Sequence, residues 1–178
     1  MTPIEEFAEK ITAAEKNLKE LKAQFEKLCE KKVGQFDPDS CKWVDLGLPS
    51  GRQWADANAS GHYDWETALK TFGEYLPSGT AMAELCECCK WTWDDKNKGY
   101  DIEGPNGNHI FLWAAGYKPN NKGEAKYVGN EGAYWTSMPV YNSQTYARNL
   151  NFSSGGVNPL DNGGRSYGFA VRPCRELV

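Results

Sequence analysis

Apolar residues in the first 34 positions recur with the seven-residue period of a coiled coil. Thr2, Pro3 and Glu5 match a capping box with proline in the first turn, which indicates where a helix begins, and Gly34 indicates where it ends. Between these signals, apolar side chains occupy heptad positions a and d without a slip. The residues predicted to form this oligomerisation seam are Ile4, Phe7, Ile11, Leu18, Leu21, Phe25 and Leu28.

A helix of this length is marginal alone in water, so its apolar stripe must be covered. The cover could be the rest of the same chain, but the unbroken 3.5-residue repeat favours a second or third copy of the helix. Residues 1–34 are therefore predicted to be a coiled-coil oligomerisation helix that forms a dimer or a trimer. Residues 35–40 carry the turn pair Asp37-Pro38 and are predicted to be a linker.

The pattern over residues 41–178 predicts one α+β domain. Two segments with helical periodicity, residues 65–75 and 79–89, lie ahead of most of the strand patterns, which are short and separated by Gly, Pro and Asn turns. Helices followed by a cluster of short strands are typical of α+β folds. The predicted strands are residues 43–48, 90–93, 99–103, 109–112, 132–137, 145–152 and 167–173.

The strand pattern near residue 150 also predicts which side chains face the core. Leu150 and Phe152 alternate with Asn149 and Asn151, and successive side chains of a strand point to opposite faces. We therefore expect the apolar pair to be buried and the two asparagines to be displayed. Trp135, within another predicted strand, is assigned to the core.

Composition and charge narrow the range of partners. Seven Trp, nine Tyr and seven Phe, with 18 Gly and 9 Pro, describe a loop-rich fold that relies on aromatic packing. The net charge of -4 provides no basic surface for phosphates, so nucleic acid is not an expected partner. The sequence has no long apolar run, and residues 1–10 lack the pattern of a secretory signal, so we expect neither membrane insertion nor a signal peptide.

The cysteines favour neither a metal site nor a dense disulfide framework. Cys86, Cys88 and Cys89 are too crowded to pair with one another, and only two histidines are available to complete a metal site. They are interpreted as buried or half-buried thiols on a helix, and no metal or cofactor is expected. Cys41 and Cys174 flank the two terminal strands and could be neighbours, which leaves a disulfide bond between them open.

Residues 141–167 have the composition of a binding surface. Asn, Ser, Gly and Tyr make up 16 of these 27 residues, and Lys and Glu are missing, as is typical of paratopes and interface cores. Within this stretch, Asn158-Pro159 and Gly163-Gly164 are interpreted as turns. The residues predicted to bind a ligand are Tyr134, Tyr141, Asn142, Tyr146, Asn149, Asn151, Ser153, Asn158, Leu160, Asn162, Arg165 and Ser166.

Several sequence blocks resemble, in the same order, the major paralogous domain that is abundant in Fibrobacter and Bacteroides-group bacteria. The resemblance extends over roughly residues 43–174 and rests on ordered blocks rather than on a single motif. The blocks are VDLGLPSGRQWA (44–55), YLPSGTAMAEL (75–85), CKWTW (89–93), GYDIEGPNGNHIFLWAAGY (99–117), AYWTS (133–137), NLNFSSGGVNP (149–159) and YGFAVRPC (167–174).

That family is similar to C-type-lectin-like domains, so the resemblance implies two helices and small twisted antiparallel sheets in a loop-rich fold. The family also serves as the variable protein of diversity-generating retroelements in gut bacteria and their bacteriophages. Residues 133–174 look like the diversified segment of such proteins. The resemblance therefore implies a receptor- or ligand-binding protein on a phage virion or a bacterial cell surface rather than in the cytoplasm. Its expected partner is a protein or a glycan on a cell or phage surface.

An enzyme is the less favoured interpretation. The sequence contains no pattern of a catalytic triad, a phosphate-binding glycine loop or a zinc protease. Formylglycine-generating enzymes resemble this chain at YLPSG and YGFAVRP, but they depend on two cysteines late in the domain, and only Cys174 lies there. A surface module without a specific ligand is the third interpretation. Calcium-dependent sugar binding is not expected, because the Glu-Pro-Asn and Trp-Asn-Asp motifs of true lectins are missing.

Overall fold

The computed structural model describes residues 10–22 and 34–176 of the chain. The chain divides into two units, residues 1–37 and 38–178, and this division falls inside the predicted linker. Within the described ranges, every helix is too short or too polar to span a lipid bilayer.

Residues 10–22 of the first unit form helix α1. Three residues of the predicted seam lie on it, and Ile11, Leu18 and Leu21 leave 48, 54 and 62 % of their surface exposed. A helical conformation is thus confirmed for the middle of the predicted coiled coil, and its assembly with further copies stays a prediction. The remaining seam residues lie outside the described residues; they are Ile4, Phe7, Phe25 and Leu28.

Two helices of the second unit begin at capping side chains. Helix α2 (Trp65–Phe72) follows Asp64, whose carboxylate accepts a hydrogen bond from a backbone N–H of the first turn at 3.0 Å. Helix α3 (Gly79–Cys88) follows Ser78, whose hydroxyl accepts a similar bond at 3.1 Å. Both predicted helices are confirmed, except that a 3-10 turn, Gly73–Tyr75, replaces the last turn expected for α2.

Short antiparallel strands make up the rest of the second unit. In residues 34–176 they are β1 (Trp43–Asp45), β2 (Gln53–Ala55), β3 (Lys90–Asp94), β4 (Gly99–Glu103), β5 (His109–Trp113), β6 (Glu131–Pro139), β7 (Tyr146–Ser153), β8 (Gly156–Gly164) and β9 (Cys174–Arg175). They form three sheets, with the strand orders β1-β2-β9, β3-β4-β5 and β6-β7-β8, called the first, second and third sheet. The first sheet joins the two ends of the unit, because β2 pairs with both β1 and β9. Helices beside small antiparallel sheets confirm the α+β class.

One predicted strand and two predicted turns are wrong. Residues 167–173 do not form a strand but run as an irregular segment that makes isolated bridges to three other segments. Conversely, β8 contains both Asn158-Pro159 and Gly163-Gly164, which the sequence suggests are turns. Proline is tolerated there because β8 is at the edge of its sheet. The first predicted strand is also shorter than expected and ends at Asp45.

The third sheet has two different faces. Tyr134, Leu150 and Phe152 point into the main hydrophobic core and are buried. Because side chains alternate along a strand, Trp135 and Asn149, which are paired across β6 and β7, point to the opposite face. The predicted burial of Leu150, Phe152 and Trp135 is confirmed.

The cysteines of residues 34–176 are free thiols. Cys41 and Cys174 therefore do not form a disulfide bond. Cys86 and Cys88 lie on α3, Cys89 directly follows it, and all three are half-buried, as predicted. Burial raises the pKa of Cys86 to about 12 and that of Cys89 to about 11, so both thiols stay protonated and weakly reactive at neutral pH.

Truncation of two buried aromatic side chains tests the assignment of the two faces. We expect Trp135→Ala and Phe152→Ala each to lower the free energy of unfolding by about 3 to 5 kcal/mol, because each leaves a large cavity. Urea denaturation followed by circular dichroism measures the change. Tyr141→Ala, at a side chain that is 88 % exposed, is the control and should shift stability by no more than about 0.5 kcal/mol. Unchanged stability in a core variant would contradict the face assigned to that residue.

Candidate functional site

A groove with a volume of about 360 Å³ opens on the second face of the third sheet. Its floor comes from β7 and β8, and its walls come from two irregular segments that contain Tyr117 and residues 166–169. The groove therefore depends on segments that are far apart in the chain. Five of the predicted ligand-binding residues line it: Tyr146, Asn149, Asn151, Asn162 and Ser166.

The floor of the groove carries a cluster of polar side chains. Asn149 on β7 is paired with Asp161 on β8, and the Cβ atoms of such cross-strand neighbours lie about 5 Å apart. A register shift directly after Asn149 then brings Asn151 opposite Asn158. Two amides and a carboxylate, those of Asn149, Asn151 and Asp161, therefore line the same groove.

The expected display of Asn149 is wrong, because the residue is only 1 % exposed. It does lie on the face opposite Leu150, but that face is covered in part by the Phe169 ring, which packs on Trp135 with 4.1 Å between the ring centroids. Gly163 makes room for this arrangement. A Cβ atom at Gly163 would collide with the Phe169 ring and would lie 3.0 Å from Nδ2 of Asn149. Asn149 thus lies at the bottom of the groove beside an aromatic cover.

The side-chain oxygen Oδ1 of Asn149 is buried and has no hydrogen-bond partner among the described residues. An unpaired buried group of this kind costs about 1–3 kcal/mol, and native proteins retain few of them. Nε1 of Trp54 is also buried without a partner, but Trp54 does not line the groove. Asn149 is therefore the strongest candidate for a contact with a ligand.

The groove holds further acceptors without partners. Neither the carboxylate of Asp161 nor the carboxamide of Asn151 makes a hydrogen bond or an ion pair within the described ranges. Arg148 does not pair with Asp161, because its guanidinium donates to the carbonyl of Leu160 at 3.0 Å and to Oδ1 of Asn162 at 2.7 Å. Among the described lining residues Asp161 is the only charged one, so the groove is rich in acceptors and carries a negative charge.

Stacked tyrosines form one wall. The rings of Tyr117 and Tyr167 are nearly parallel, with an interplanar angle of 7° and 5.8 Å between centroids. Tyr127 stacks on Tyr117 at 5.6 Å but is exposed beyond the groove. Burial, reinforced by the neighbouring Tyr127, raises the pKa of Tyr117, so its phenol is neutral. The wall is therefore aromatic and uncharged, and the π-electrons of such rings attract positive charge.

Arg165 holds the rim of the groove in place. Its side chain donates to the carbonyls of Tyr146 and Ser143, each at 3.1 Å, and its guanidinium lies 4.2 Å from the centroid of the Trp65 ring on α2. It also lies 3.5 Å from a carboxylate oxygen of Glu66. Arg165 therefore ties the connection between β6 and β7 to α2 and has few donors left. It does not line the groove itself, and its predicted role in ligand binding stays a prediction.

Two further predicted residues, Tyr134 and Leu160, lie outside the groove. Tyr134 is fully buried, and its hydroxyl donates to the carbonyl of Trp113 and accepts a hydrogen bond from Asn58 at 2.9 Å. Burial raises the pKa of Tyr134 to about 12. Leu160 contacts the start of α3, because a Cβ atom at Gly79 would lie 3.0 Å from its Cδ2. Neither side chain lines the groove. Full burial contradicts the assignment of Tyr134 to the binding surface, whereas a binding role for Leu160 stays a prediction.

Four predicted residues remain, of which three lie at the two ends of β7 and one lies on β8. Tyr141 and Asn142 are exposed in the turn between β6 and β7, where Asn142 has a positive φ of 56°. At the opposite end of the strand, the Ser153 hydroxyl accepts a hydrogen bond from the Gly155 amide at 3.3 Å within the turn that leads to β8. Asn158 is exposed on β8 itself. None of these four predicted residues lines the groove, and a binding role for them stays a prediction.

Four residues that shape the groove are missing from the predicted binding residues: Tyr117, Asp161, Tyr167 and Phe169. Tyr167 and Phe169 are instead assigned to a strand, where alternation would place them on one face. The aromatic residues near position 167 are the only sequence signal for this wall. Tyr117 gives none, because it reaches the groove through bridges to distant residues, which pair its neighbours Gly116 and Lys118 with Gly132 and Gly168.

A second cavity, of about 420 Å³, lies beside β9. Two of its charged side chains are paired, because the Arg52 guanidinium lies 2.6 Å from Glu176 and also 3.1 Å from Glu84. A third, Arg175, donates to Oε1 of Gln53, and the buried polar atoms that lack a partner in the described residues lie elsewhere. In residues 10–22 and 34–176, no three His, Cys, Asp or Glu side chains come together in a way that could hold a metal ion. The groove on the third sheet is therefore the stronger candidate site.

Replacement of Asn149 by leucine, which has a similar shape, tests whether its amide is unpaired. We expect Asn149→Leu to raise the free energy of unfolding by about 1 kcal/mol, because it removes a buried polar group that has no partner. Urea denaturation measures the change. Asn162→Leu is the control: it removes an exposed acceptor of Arg148 and should give no gain. A clear loss of stability in Asn149→Leu would mean that the amide is satisfied in the folded protein.

Comparison with known proteins yields one partial match. Residues 89–174 match the model of a family described as a domain of unknown function (DUF8237). A search of curated proteins found no match, and neither did a search of solved structures. The match includes strands β3 to β8 and every described residue that lines the groove. The chain is thus similar to this family in the part that builds the candidate site.

Proposed function

We propose that this chain is a ligand-binding protein with a C-type-lectin-like fold, and that the groove on the third sheet is its binding site. The sequence blocks within residues 43–174 support the fold, and two helices with three small antiparallel sheets agree with it. One observation carries the binding role. The carboxamide of Asn149 is a buried polar group without a partner at the floor of an open groove.

The chemistry around Asn149 also suits recognition. The groove lies at the small end of the range of about 300–1,000 Å³ that is usual for ligand pockets. Tyr146 on its rim and Tyr141 near by offer large contact areas at a low cost in conformational entropy, while exposed amides such as Asn162 adapt their hydrogen bonds. A surface that served only the fold would have no need of these exposed side chains.

We further propose that a retroelement diversifies the exposed part of this surface. Strand β7 separates the two requirements, because Leu150 and Phe152 hold the core while Tyr146 and Asn151 reach the groove. Changes at exposed positions shift stability by about 0.5 kcal/mol or less, so such positions can vary while the fold persists. The exposed positions are Tyr141, Asn142, Tyr146, Asn158, Asn162 and Ser166.

A thiol enzyme of the formylglycine-generating type has less support. Burial raises the pKa of Cys174 to about 12, whereas a reactive cysteine needs a thiolate at neutral pH. If the chain were a surface module without a ligand, nothing would explain why the buried amide of Asn149 is unpaired. Ligand binding accounts for the unpaired amide and does not require a reactive thiol.

Self-association through α1 would give the proposed binding protein several sites. Ile11, Leu18 and Leu21 form an exposed apolar stripe on α1. They follow a heptad repeat, and a helix with a heptad repeat packs best against another helix that has the same repeat. A second or third copy of the chain is therefore the proposed occupant of the stripe. Linked sites gain avidity without any new contact, so even weak binding in each groove would suffice.

The DNA around the gene tests the diversification. We expect an adjacent reverse-transcriptase gene and a near-repeat of the coding sequence for residues 133–172. Sequencing of the gene from a growing population should find substitutions at exposed positions such as Tyr141 and Asn162, and none at Trp135 or Phe152, because the core does not tolerate them. A locus that lacks both elements would contradict the retroelement. Substitutions spread equally over core and surface would contradict the assigned surface.

Analytical ultracentrifugation tests the stalk. We expect the full chain to sediment as a dimer or trimer, and we expect Leu18→Asp and Leu21→Asp to dissociate it, because an unpaired charge in the seam is strongly destabilising. Lys16→Asp, which places the same charge at the outermost heptad position, is the matched control and should leave the assembly intact. A full chain that is monomeric at micromolar concentration would disprove self-association.

A further inference from the structure

We propose that the groove receives a cationic side chain of a protein partner, with arginine preferred over lysine. This inference rests on the proposed function, because it names the chemistry of the ligand at the same site. Four features of the groove favour an arginine side chain: its unpaired acceptors, its uncompensated charge, its aromatic wall and its exposed rim.

The acceptors of the groove require donors from outside. The carboxylate of Asp161 can only accept hydrogen bonds, and the amides of Asn149 and Asn151 beside it have oxygen atoms without partners in the described structure. A guanidinium carries five N–H donors and no acceptor, so it is complementary to this set. Its flat, forked shape can reach a carboxylate and a neighbouring amide at once.

The negative charge of Asp161 is not balanced by the arginines near it. The guanidinium of Arg148 is engaged with Leu160 and Asn162, and that of Arg165 is engaged with backbone carbonyls and the Trp65 ring. Neither arginine lines the groove. A cation that enters therefore meets an unpaired carboxylate without displacing an existing ion pair.

The aromatic wall favours the same kind of group. Tyr117 and Tyr167 present nearly parallel rings, and Phe169 closes the inner end of the wall. Cations are attracted to the faces of aromatic rings, and a planar guanidinium stacks on them more closely than an ammonium group does. This difference is the reason to expect a preference for arginine.

The rim indicates that the cation belongs to a polypeptide. Tyr141 and Tyr146 are exposed by 88 and 50 % on the connection between β6 and β7 and at the start of β7. Tyr is enriched in protein interfaces, where exposed aromatic residues supply much of the binding energy. A small free amine would fill the groove but would leave these side chains without a role.

Titration with blocked amino acids tests the charge requirement. The probes are N-acetyl-arginine amide, its neutral analogue N-acetyl-citrulline amide, N-acetyl-lysine amide and a methyl mannoside, each added to the 15N-labelled full chain at millimolar concentration. We expect saturable shifts of the side-chain NH2 signals of Asn149 and Asn151 with the arginine probe. The citrulline probe should bind about tenfold more weakly, because it lacks the charge, and the lysine probe should fall between them.

Variants then locate the effect. Asp161→Asn should weaken arginine binding about tenfold and should remove most of the difference between arginine and citrulline. Tyr167→Leu should weaken binding severalfold through loss of the aromatic face. Asp101→Asn, which alters a half-exposed carboxylate on β4 outside the groove, is the matched control and should bind normally.

Three results would overturn the inference: equal affinity for arginine and citrulline, an unchanged affinity in both Asp161→Asn and Tyr167→Leu, or saturable binding of the mannoside but of no cationic probe. The absence of binding by every probe would overturn it as well. None of these results decides the proposed function. That function is tested separately by the DNA around the gene, and the outcome of that test does not depend on the charge of the ligand.

Discussion

The packing of the Phe169 ring on the Trp135 indole decides which surface the third sheet exposes. Both residues are held in place by hydrogen bonds to the backbone of Tyr63. The indole Nε1 of Trp135 donates to the carbonyl of Tyr63 at 2.6 Å, and the backbone of Phe169 exchanges hydrogen bonds of 2.9 and 3.0 Å with the same residue. The segment that contains Phe169 is therefore held across the sheet, and the part of the face that it leaves open is the groove.

A buried arginine anchors the same segment at its other end. Arg172 donates to the carbonyl of Ala55 at 2.9 Å and to Oδ1 of Asn58 at 2.8 Å, and a third bond reaches the carbonyl of Phe111. Burial lowers the pKa of Arg172 to about 10, so the group is still charged at neutral pH, where the carbonyl oxygens replace its hydration. The wall of the groove thus rests on a polar network inside the domain, and its position does not depend on the solvent.

Properties that depend on neighbouring residues of this chain could be predicted from its sequence, whereas properties that depend on distant residues could not. The helical periodicity of residues 65–75 and 79–89 predicts α2 and α3, and the alternation along β7 correctly separates its two faces. The burial of Asn149 could not be predicted, because its cover is Phe169, a residue of another segment. Strand β8 could not be predicted for a related reason. Pro159 is compatible with a strand only at the edge of a sheet, and which strand lies at the edge is known only once the sheet is assembled.

The attachment of the rim by Arg165 has a consequence for the solution conditions under which the groove keeps its shape. Two of its contacts are hydrogen bonds to backbone carbonyls, one is the face of Trp65, and only the exposed Glu66 offers an opposite charge. Dissolved ions screen exposed ion pairs strongly and affect hydrogen bonds to carbonyls little. The rim is therefore held equally well in dilute and in concentrated salt, so any dependence of binding on ionic strength measures the charge that the ligand itself brings.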